Sequence, residues 1–558
     1  MRHALMLAIL VIAACTPPPP QALADLAPGA PTPLEQGWSD QDRTRFQTTA
    51  QGSHLMPLPW FLALRRTDRD EAFAADQLTR YGYLPSAGTL PVGFVPDGTA
   101  REPQLGMTCA ACHTAELRYR GQAWRIDGGR ANADFQAFLT DLGAAAQATL
   151  DQPARFDAFA GRVLGPRPTA VGIQLLRQKL AGWTTRHTTF MAASLPQPPW
   201  GPGRLDAFGM IFNRVTALDL DQPGNYALAD APVRYPFIWD APRQDKTQWT
   251  GAAPNGTYLR GLARNTGEVF GVFGRFDPVS MPLHRTLHRN SVKLSGLQAI
   301  EEELVRLRAP RWPGQLGLDP VRVAQGSALF TTNCAGCHGP KASETVLGAW
   351  ATPVIDVGTD PRTFVNAGRT GTPGLLTGTQ QPPVVGERLQ DLSAKTDILA
   401  NAVIGTLLRG ALLQDPGIRR AIRQDVAENR LPVLGRSQAP AVAVTDDTHE
   451  LFRIDRGSGA AYEARVLTGI WAVGPYLHNG SVPTLWALLQ PARDRPSRFA
   501  VGHRAFDPLH VGLETAPGPG RASFVVDAAV GNGNGGHEYG STLKEPERWS
   551  LIEYLKTL

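Results

Sequence analysis

Four of the five cysteines of this 558-residue chain lie in two copies of one five-residue pattern, Cys-x-x-Cys-His. In this pattern two thiols can add to the vinyl groups of a porphyrin while the adjacent imidazole binds the iron, which is the attachment chemistry of c-type haem. The pattern therefore predicts two covalently bound haem c groups, with the two histidines as proximal iron ligands. The residues concerned are Cys109, Cys112, His113, Cys334, Cys337 and His338.

A Cys-x-x-Cys pair alone also suits a redox-active dithiol or half of a zinc site. A zinc site needs two further ligands at matching spacing, and a thioredoxin-like dithiol needs a βαβ context and no adjacent histidine. Neither feature is visible near either copy. Two copies of the full five-residue pattern therefore favour haem.

Length and charge limit the classes of protein to consider. The formal net charge is +5 and the isoelectric point about 9.0, but no Lys/Arg block stands out, so we expect no nucleic-acid partner. A chain of 558 residues is too long for one ordinary core, so we expect one haem in each of two domains. We place an N-terminal c-type haem domain at residues 51–310 and a C-terminal one at residues 311–558.

The first residues are typical of an exported protein. Residues 1–14 combine a short basic start with an apolar run too short to span a membrane, and small residues precede Cys15 as in a bacterial lipobox. We therefore expect a signal peptide at 1–14 and a lipid-anchored linker at 15–50, in a periplasmic location. Thr16 after the cysteine favours the outer membrane. The alternative is an ordinary signal peptide with a chance cysteine.

The periodicity of apolar residues predicts several helices, and the high content of glycine and proline predicts long irregular loops, with a few short hairpins. A hairpin is expected at 117–127, turning at Gly121-Gln122. Residues 196–280 carry little periodic signal and are predicted to be a long loop. Helices are expected at 134–150, 171–194, 291–308, 319–330, 397–413 and 547–558.

Two segments of the second half, 462–471 (YEARVLTGIW) and 475–485 (PYLHNGSVPTL), resemble the bacterial di-haem cytochrome c peroxidase superfamily, which includes methylamine-utilisation and rubber-oxygenase branches. Arg264-Asn265-Thr266 is similar to the N-terminal half of the peroxidases. Segments 498–512 and 531–539 look closer to the rubber-oxygenase branch.

The resemblance implies a mainly α fold of two cytochrome-c-like haem domains that share an interface. It also implies that one haem reacts while the other relays electrons. In the peroxidases the N-terminal haem reduces peroxide, and in the rubber-oxygenase branch it binds dioxygen and cleaves a carbon-carbon double bond. The peroxidases' Trp-Asp-Gly-Arg segment has no clean copy here, and 239–243 is the nearest string. Our first hypothesis is an oxidoreductase that activates peroxide or dioxygen at haem 1. The alternative is an electron-transfer protein with two six-coordinate haems and no catalysis.

Partners follow from the same resemblance. We expect a small redox protein or a quinone-linked donor to supply electrons, and a membrane contact through the lipid anchor. Calcium at the domain interface is usual in the peroxidases, so it is a further candidate, although no Ca²⁺-loop pattern is present.

No methionine follows His338, so a ligand for the second haem from its own domain is expected to be a histidine. We select His537, because the glycines at 531–536 allow close approach to a porphyrin and the rubber-oxygenase branch uses a late histidine in this way. His503 is the second choice, and His478 is interpreted as a structural residue or a haem-propionate partner. The candidates considered are His449, His478, His503, His510 and His537.

The reactive side of the first haem is predicted from fewer signals. Phe237 and Trp239 are candidates for an apolar lid, and Glu268 or Asp240 for an acid. The alternative is that these are ordinary core aromatics and a solvated carboxylate. Trp471 and Tyr476 are further candidates for residues between the haems.

Overall fold

The computed structural model of this protein describes residues 30–278, 287–380, 387–414, 419–420 and 460–558. The predicted signal peptide, Cys15, part of the linker and His449 lie outside the described residues.

The fold is mixed α/β, so the prediction of a mainly α fold is wrong. The described chain is 42% helical and 15% strand, with several small sheets. Its helices are Asp40–Thr48, Leu58–Ala63, Phe135–Asp151, Pro153–Leu164, Ala170–Ser194, Ala207–Phe212, Tyr258–Gly271, Leu294–Arg306, Pro320–Asn333, Ala335–His338, Arg362–Ala367, Lys395–Arg409, Leu485–Leu488 and Glu545–Leu555.

Helix starts follow ordinary capping chemistry. The Asp134 side chain accepts a hydrogen bond from the Ala137 N–H and begins Phe135–Asp151. Asp319 does the same for Pro320–Asn333, where a proline occupies the first turn. The helices expected at 134–150, 171–194, 291–308, 319–330, 397–413 and 547–558 are all found, with shifts of a few residues at their ends.

Most strands are only two residues long, which explains why alternation in the sequence did not reveal them. The longest hairpin pairs Thr114–Tyr119 with Gln122–Asp127, and it turns at Arg120 and Gly121, one residue earlier than predicted. The other strands are Thr32–Pro33, Met56–Pro57, Phe94–Gly98, Pro103–Met107, Arg204–Leu205, Val233–Arg234, Lys246–Thr247, Ala253–Pro254, Phe276–Asp277, Arg289–Asn290, Val354–Ile355, Thr370–Gly371, Ser393–Ala394, Tyr462–Glu463, Arg498–Val501, Phe506–Asp507, Gly512–Leu513 and Ala522–Val525.

The long loop predicted at 196–280 contains regular structure, most notably the helix Tyr258–Gly271. This helix is buried on several sides, and its buried residues include glycines, Asn265 and Thr266 as well as apolar residues. Its apolar residues are concentrated on one face, so the helical period is present in the sequence, but it lies within a stretch rich in glycine and proline that predicted a loop.

The second Cys-x-x-Cys-His motif is held by two packed helices. Pro320–Asn333, which leads into Cys334, packs along Glu545–Leu555. Gly326 makes the close approach feasible, because a Cβ at this position would overlap the Ser550 backbone. Phe330 and Tyr554 add an aromatic contact with ring centres 5.2 Å apart.

One apolar cluster contains residues from both sides of position 310, including Trp239 and Trp471. The Trp239 indole donates to the Thr468 carbonyl (2.8 Å), and the Trp471 indole donates to the Pro310 carbonyl (2.9 Å). The two halves therefore share a packed interface, while the division into domains at 310 stays a prediction.

The segment Lys395–Leu413 is long and apolar enough to cross a membrane by length and composition alone. Most of it is buried inside the protein, which is typical of a core helix.

Candidate haem-binding sites

The first motif lies on a tight turn between two strands. Cys109–Ala111 forms one turn of 3-10 helix, capped by the Thr108 side chain. It follows the strand Pro103–Met107 and leads directly into Thr114–Tyr119. The motif is therefore anchored at both ends by sheet hydrogen bonds.

The second motif lies at the end of a helix. Cys334 caps Pro320–Asn333, and Ala335–His338 forms one further helical turn. An amphipathic helix that delivers the motif was predicted from the sequence, and it is found.

Both motif histidines are oriented in the same way. The His113 Nδ1 hydrogen-bonds the Pro236 carbonyl (2.9 Å), and the His338 Nδ1 hydrogen-bonds the Arg465 carbonyl (2.7 Å). A carbonyl can only accept, so Nδ1 carries the proton and Nε2 keeps its lone pair for a metal. Burial lowers the pKa of His113 to about 4 and also lowers the pKa of His338, so both rings are neutral at pH 7.

Three of the four motif thiols are not poised for dithiol redox chemistry. Burial raises the pKa of Cys109 and Cys334 to about 11 and that of Cys112 to about 12. A reactive dithiol instead needs a lowered pKa. Within the described residues there is also no group of three or more His, Cys, Asp or Glu side chains that could hold a metal ion, so the zinc alternative gains no further ligands.

The second motif opens into a large cavity that contains about 1270 Å³ of space, including its mouth. Cys334, Cys337 and His338 lie on its wall, and apolar side chains such as Ile470 and Leu551 form much of the rest. An apolar cleft with two thiols and an imidazole suits a covalently attached porphyrin.

His537 lies across this cavity from His338, with ring centres 6.0 Å apart. Imidazole nitrogens bind metals at about 2.0–2.1 Å, so two imidazoles this close could both hold one metal ion. The residues at the second motif therefore fit a haem iron held by two histidines.

The glycine-rich loop presents His537 through strained backbone. His537 has a φ of +50° and Gly536 a φ of +73°, and a Cβ at Gly536 would overlap the Val357–Gly358 backbone. Only glycine fits such a position without strain. The His537 N–H also donates to the Val357 carbonyl (2.8 Å), which fixes the loop against a segment that follows the second motif.

Arg495 holds the same loop from the other side. Its buried guanidinium donates to five backbone carbonyls, and three of them belong to the His537 loop. The acceptors are Asn534 (2.5 Å), Gly536 (2.9 Å), His537 (3.2 Å), Leu488 (3.3 Å) and Gln490 (3.3 Å). The sequence did not predict this role of Arg495, because every residue has a backbone carbonyl and the acceptors therefore cannot be recognised from residue type.

The other described histidine candidates are placed differently. His478 lines the cavity and stacks on Tyr462 with ring centres 3.9 Å apart, and burial lowers its pKa to about 3. His503 is buried and its Nδ1 accepts from the Ala505 N–H (3.2 Å). His510 pairs with Asp507 (2.7 Å) at the surface. Of these three, only His478 lines the cavity.

Phe237 and Trp239 lie between the two motifs. Their rings stack with centres 4.8 Å apart, and Phe237 lines the cavity of the second motif. The Arg465 guanidinium lies 4.0 Å from the Phe237 ring centre. Phe237 also follows Pro236, the carbonyl partner of His113. The link from Phe237 to the first motif runs through Pro236 to His113, which is the side of the proximal ligand. The proposed role of Phe237 and Trp239 as a lid over the opposite side of the first haem therefore stays a prediction.

Glu268 lies in the neighbourhood of the first motif. It lies partly buried on the helix Tyr258–Gly271 and accepts a hydrogen bond from the Gln248 side chain. Its charge contributes to the raised pKa of both Cys109 and Cys112, and desolvation raises the pKa of Glu268 itself. A carboxyl whose pKa is raised is thus available near the first motif.

Asp240 is engaged elsewhere: its carboxylate accepts from the Thr468 hydroxyl (3.0 Å). Trp471 is fully buried against Trp312, with ring centres 5.3 Å apart. Tyr476 lines the cavity, and its hydroxyl contacts the Ile470 and Val511 carbonyls (both 3.2 Å).

Comparison with known proteins supports the haem assignment. The cytochrome c family matches residues 323–376, which contain the second motif, and the family described as RoxA-like, cytochrome c-like matches residues 461–500. A segment of 86 residues is 35% identical to the cytochrome bc1 complex cytochrome c subunit of Corynebacterium diphtheriae, covering 15% of this chain and 27% of that protein. Together with the motif geometry these matches define a c-type cytochrome that covalently binds haem c with its iron and has a haem-based redox function.

The chain belongs to the same family as the uncharacterized protein y4iJ of Sinorhizobium fredii, to which it is 32% identical over 94% of its own length and 93% of the relative's. It is also 26% identical to the uncharacterized protein y4iM of the same organism, over 58% of this chain and 63% of that protein.

Proposed function

We propose that this c-type cytochrome is a di-haem oxidoreductase that activates peroxide or dioxygen at the first haem and uses the second haem for electron transfer. The single observation that carries the proposal is an asymmetry. His338 faces the ring of His537 across a cavity, whereas the described residues put the ring of Tyr235, and no second imidazole, in ring contact with His113. Haem supplies a redox-active iron whose free sixth position accepts a small oxidant.

Residues near the first motif support chemistry there. Glu268 is partly buried, and desolvation favours its protonated form, so it can deliver a proton to a reduced oxygen species. Pro236 fixes the orientation of His113 through its carbonyl. At the second motif, His338 and His537 could both hold the iron, which would leave no free position for an oxidant and would suit electron transfer.

A chain of contacts supports electron transfer between the two sites. The His338 imidazole donates to the Arg465 carbonyl, and the Arg465 side chain lies on the Phe237 ring. Phe237 is bonded to Pro236, whose carbonyl accepts from His113. The two motif histidines are thus joined by two hydrogen bonds and one cation–π contact.

The surroundings of the protein are part of the proposal. We expect export to the periplasm, a lipid anchor at Cys15, and a small redox protein or quinone-linked donor as the source of electrons. Membership of the di-haem peroxidase superfamily is likewise proposed from the segments 462–471 and 475–485. Calcium forms no part of the proposal, because the described chain offers no cluster of acidic side chains for it.

An optical and EPR spectrum of the purified oxidised and half-reduced protein tests the proposal. We expect two haems per chain, one low-spin ferric signal, and one high-spin signal that responds to added peroxide, imidazole or dioxygen. Turnover of peroxide with an electron donor then selects a peroxidase over an oxygenase. Two low-spin haems that ignore added ligands in every redox state contradict the catalytic proposal and leave an electron carrier.

A further inference from the structure

Two buried arginines stand directly opposite each other in a short antiparallel pair. Arg204 and Arg234 are partners in the register of Arg204–Leu205 with Val233–Arg234. They are 6% and 5% exposed. Like charges directly opposite each other destabilise a strand pair, and burial removes the water that would screen them. This arrangement needs a negative charge nearby.

A third arginine joins the pair. Arg130 is 4% exposed, and its guanidinium lies against the backbone of Gly203, the residue before Arg204. A Cβ at Gly203 would overlap Nη1 of Arg130. Gly203 also has a φ of +73°, which favours glycine. The glycine therefore makes room for the third guanidinium beside the second.

The partners of the three guanidiniums are all neutral. Within the described chain no carboxylate pairs with any of them, and Nε of Arg130 has no hydrogen-bond partner there. The acceptors are the Asn132 side chain (2.7 Å) and Ala131 carbonyl (3.2 Å) for Arg130, the Asn532 side chain (2.7 Å) and the Asn479 (3.3 Å) and Trp200 carbonyls for Arg204, and the Leu477 (2.9 Å) and Val473 (3.3 Å) carbonyls for Arg234.

The lowered pKa values of the three arginines show the electrostatic cost of burying their charges together. Burial, followed by the charge of Arg130, lowers the pKa of Arg204 and of Arg234 to about 9. Burial lowers the pKa of Arg130 to about 10. A buried cation without an ion pair is strongly unfavourable, so an anion that enters the cluster would bind well.

The cluster adjoins both motifs. Arg234 lines the cavity together with Cys334 and His338. Arg130 precedes Ala131, whose N–H donates to the Cys112 carbonyl (3.0 Å). Arg234 is thus reached through the second cavity, and Arg130 lies beside the first motif.

We propose that Arg130, Arg204 and Arg234 form a buried carboxylate-binding site, occupied by the propionate carboxylates of the porphyrin attached at Cys334 and Cys337. The assignment rests on the proposed second haem. A free carboxylate or phosphate offers similar chemistry, but a covalently held porphyrin brings its carboxylates into the cavity without a diffusing ligand. Arginine is suited to this task because its planar fork binds carboxylates in pairs of hydrogen bonds.

Redox titration of the holoprotein tests the site. Arg204→Gln and Arg234→Gln each remove a positive charge near the second iron, which favours the ferric state, so the midpoint potential of one haem is expected to fall while the other stays near its original value. Arg214→Gln is the matched control, because Arg214 is equally buried but has Asp219 as its ion partner at 4.0 Å. Unchanged potentials in both cluster variants, or an equal fall in the control, would overturn the assignment.

Titration of the unaltered holoprotein with inorganic phosphate and acetate separates the two sources of anion. A midpoint potential independent of both supports propionates, and a dependence on either overturns their assignment in favour of a free anion. A pyridine haemochrome count of one haem per chain would instead show that the proposed function failed, independently of the cluster.

An infrared measurement on the unaltered holoprotein needs no substitution, so it tests the carboxylate site even if the arginine variants do not fold. Haem labelled with ¹³C in its propionate carboxyls identifies these groups in redox difference spectra taken at the midpoint of the second haem. Arginine-bound propionates are expected to stay ionised at pH 5. A labelled carboxyl band of the protonated form at that pH would overturn the proposal.

Discussion

The same five-residue motif occurs in two different settings in this protein. The first copy lies on a 3-10 turn between strands, and the second ends a helix and opens into a large cavity. What the two copies share is the backbone carbonyl that orients the histidine. What differs is the opposite side, where the second site has His537 and the first has a partly buried carboxyl, Glu268, in its neighbourhood. The motif thus fixes attachment, and the segments that face it determine the chemistry.

The strongest test of this comparison removes one attachment site at a time. In Cys109→Ala/Cys112→Ala and in Cys334→Ala/Cys337→Ala, haem content should fall from two per chain to one, because thioether bonds need both thiols. A pyridine haemochrome assay with protein quantification measures this. Only the first double variant should lose reactivity with peroxide or dioxygen. Full haem content in either variant contradicts the assignment of that motif.

His537→Gly removes the ring that faces His338. The second haem should change from low-spin to high-spin, and added imidazole should restore the low-spin EPR signal by filling the vacated space. His503→Gly is the control, since His503 is also buried but is not part of the cavity wall. A low-spin spectrum that persists in His537→Gly would mean that another residue binds the iron.

Glu268→Gln tests the first site. Positioned acids contribute about 10²–10⁴-fold to rates, so we expect turnover of the oxidant to fall by about 100-fold or more. Glu463→Gln is the control, because Glu463 is a buried carboxyl that lines the second cavity. Equal losses in both variants would argue against a specific role for Glu268.

Glu268→Gln should also change how the free energy of unfolding depends on pH. Burial raises the folded-state pKa of Glu268, so its contribution to stability is complete below the unfolded pKa of about 4.3 and is lost as pH rises through the folded value. Glutamine resembles the protonated form, so this decline should be absent in Glu268→Gln. Urea unfolding from pH 4 to pH 8 measures the difference, and parallel curves for the two proteins would contradict it.

The smallest effect is expected from Arg495→Gln, which breaks the clamp on the His537 loop. Hydrogen bonds from a charged donor contribute about 1.5–3 kcal/mol, so we expect the free energy of unfolding to fall by about 3 kcal/mol. A partial high-spin signal from the second haem should accompany it, and imidazole should remove that signal. Arg495→Lys should retain more low-spin haem than glutamine does. An unchanged spin state in Arg495→Gln would limit Arg495 to a structural role.

Local chemistry was readable from the sequence because it depends on residue type. The two motifs, the capped helix that ends at Cys334, and the choice of His537 all follow from side chains with distinctive properties. The structure puts His537 opposite His338, although its role as an iron ligand stays a prediction.

The rest depends on contacts without a residue-type signature. Pro236 and Arg465 orient the histidines through carbonyls, which any residue has. The helix Tyr258–Gly271 has its apolar residues on one face, but it lies in a stretch rich in glycine and proline that predicted a loop. Two-residue strands are too short to alternate, so the fold class was predicted as mainly α when it is mixed. The arginine cluster could not be predicted from the sequence, because Arg130, Arg204 and Arg234 are far apart in the chain and come together only in the folded protein.

The carbonyls that orient the two histidines also set an order of maturation. They lie 123 and 127 residues after the histidines they hold. Until the chain has folded back over this distance, the five-residue motif is complete but its imidazole is not yet held by the carbonyl. Haem attachment, which needs only those five residues, can therefore finish before the ligand geometry of the iron is set.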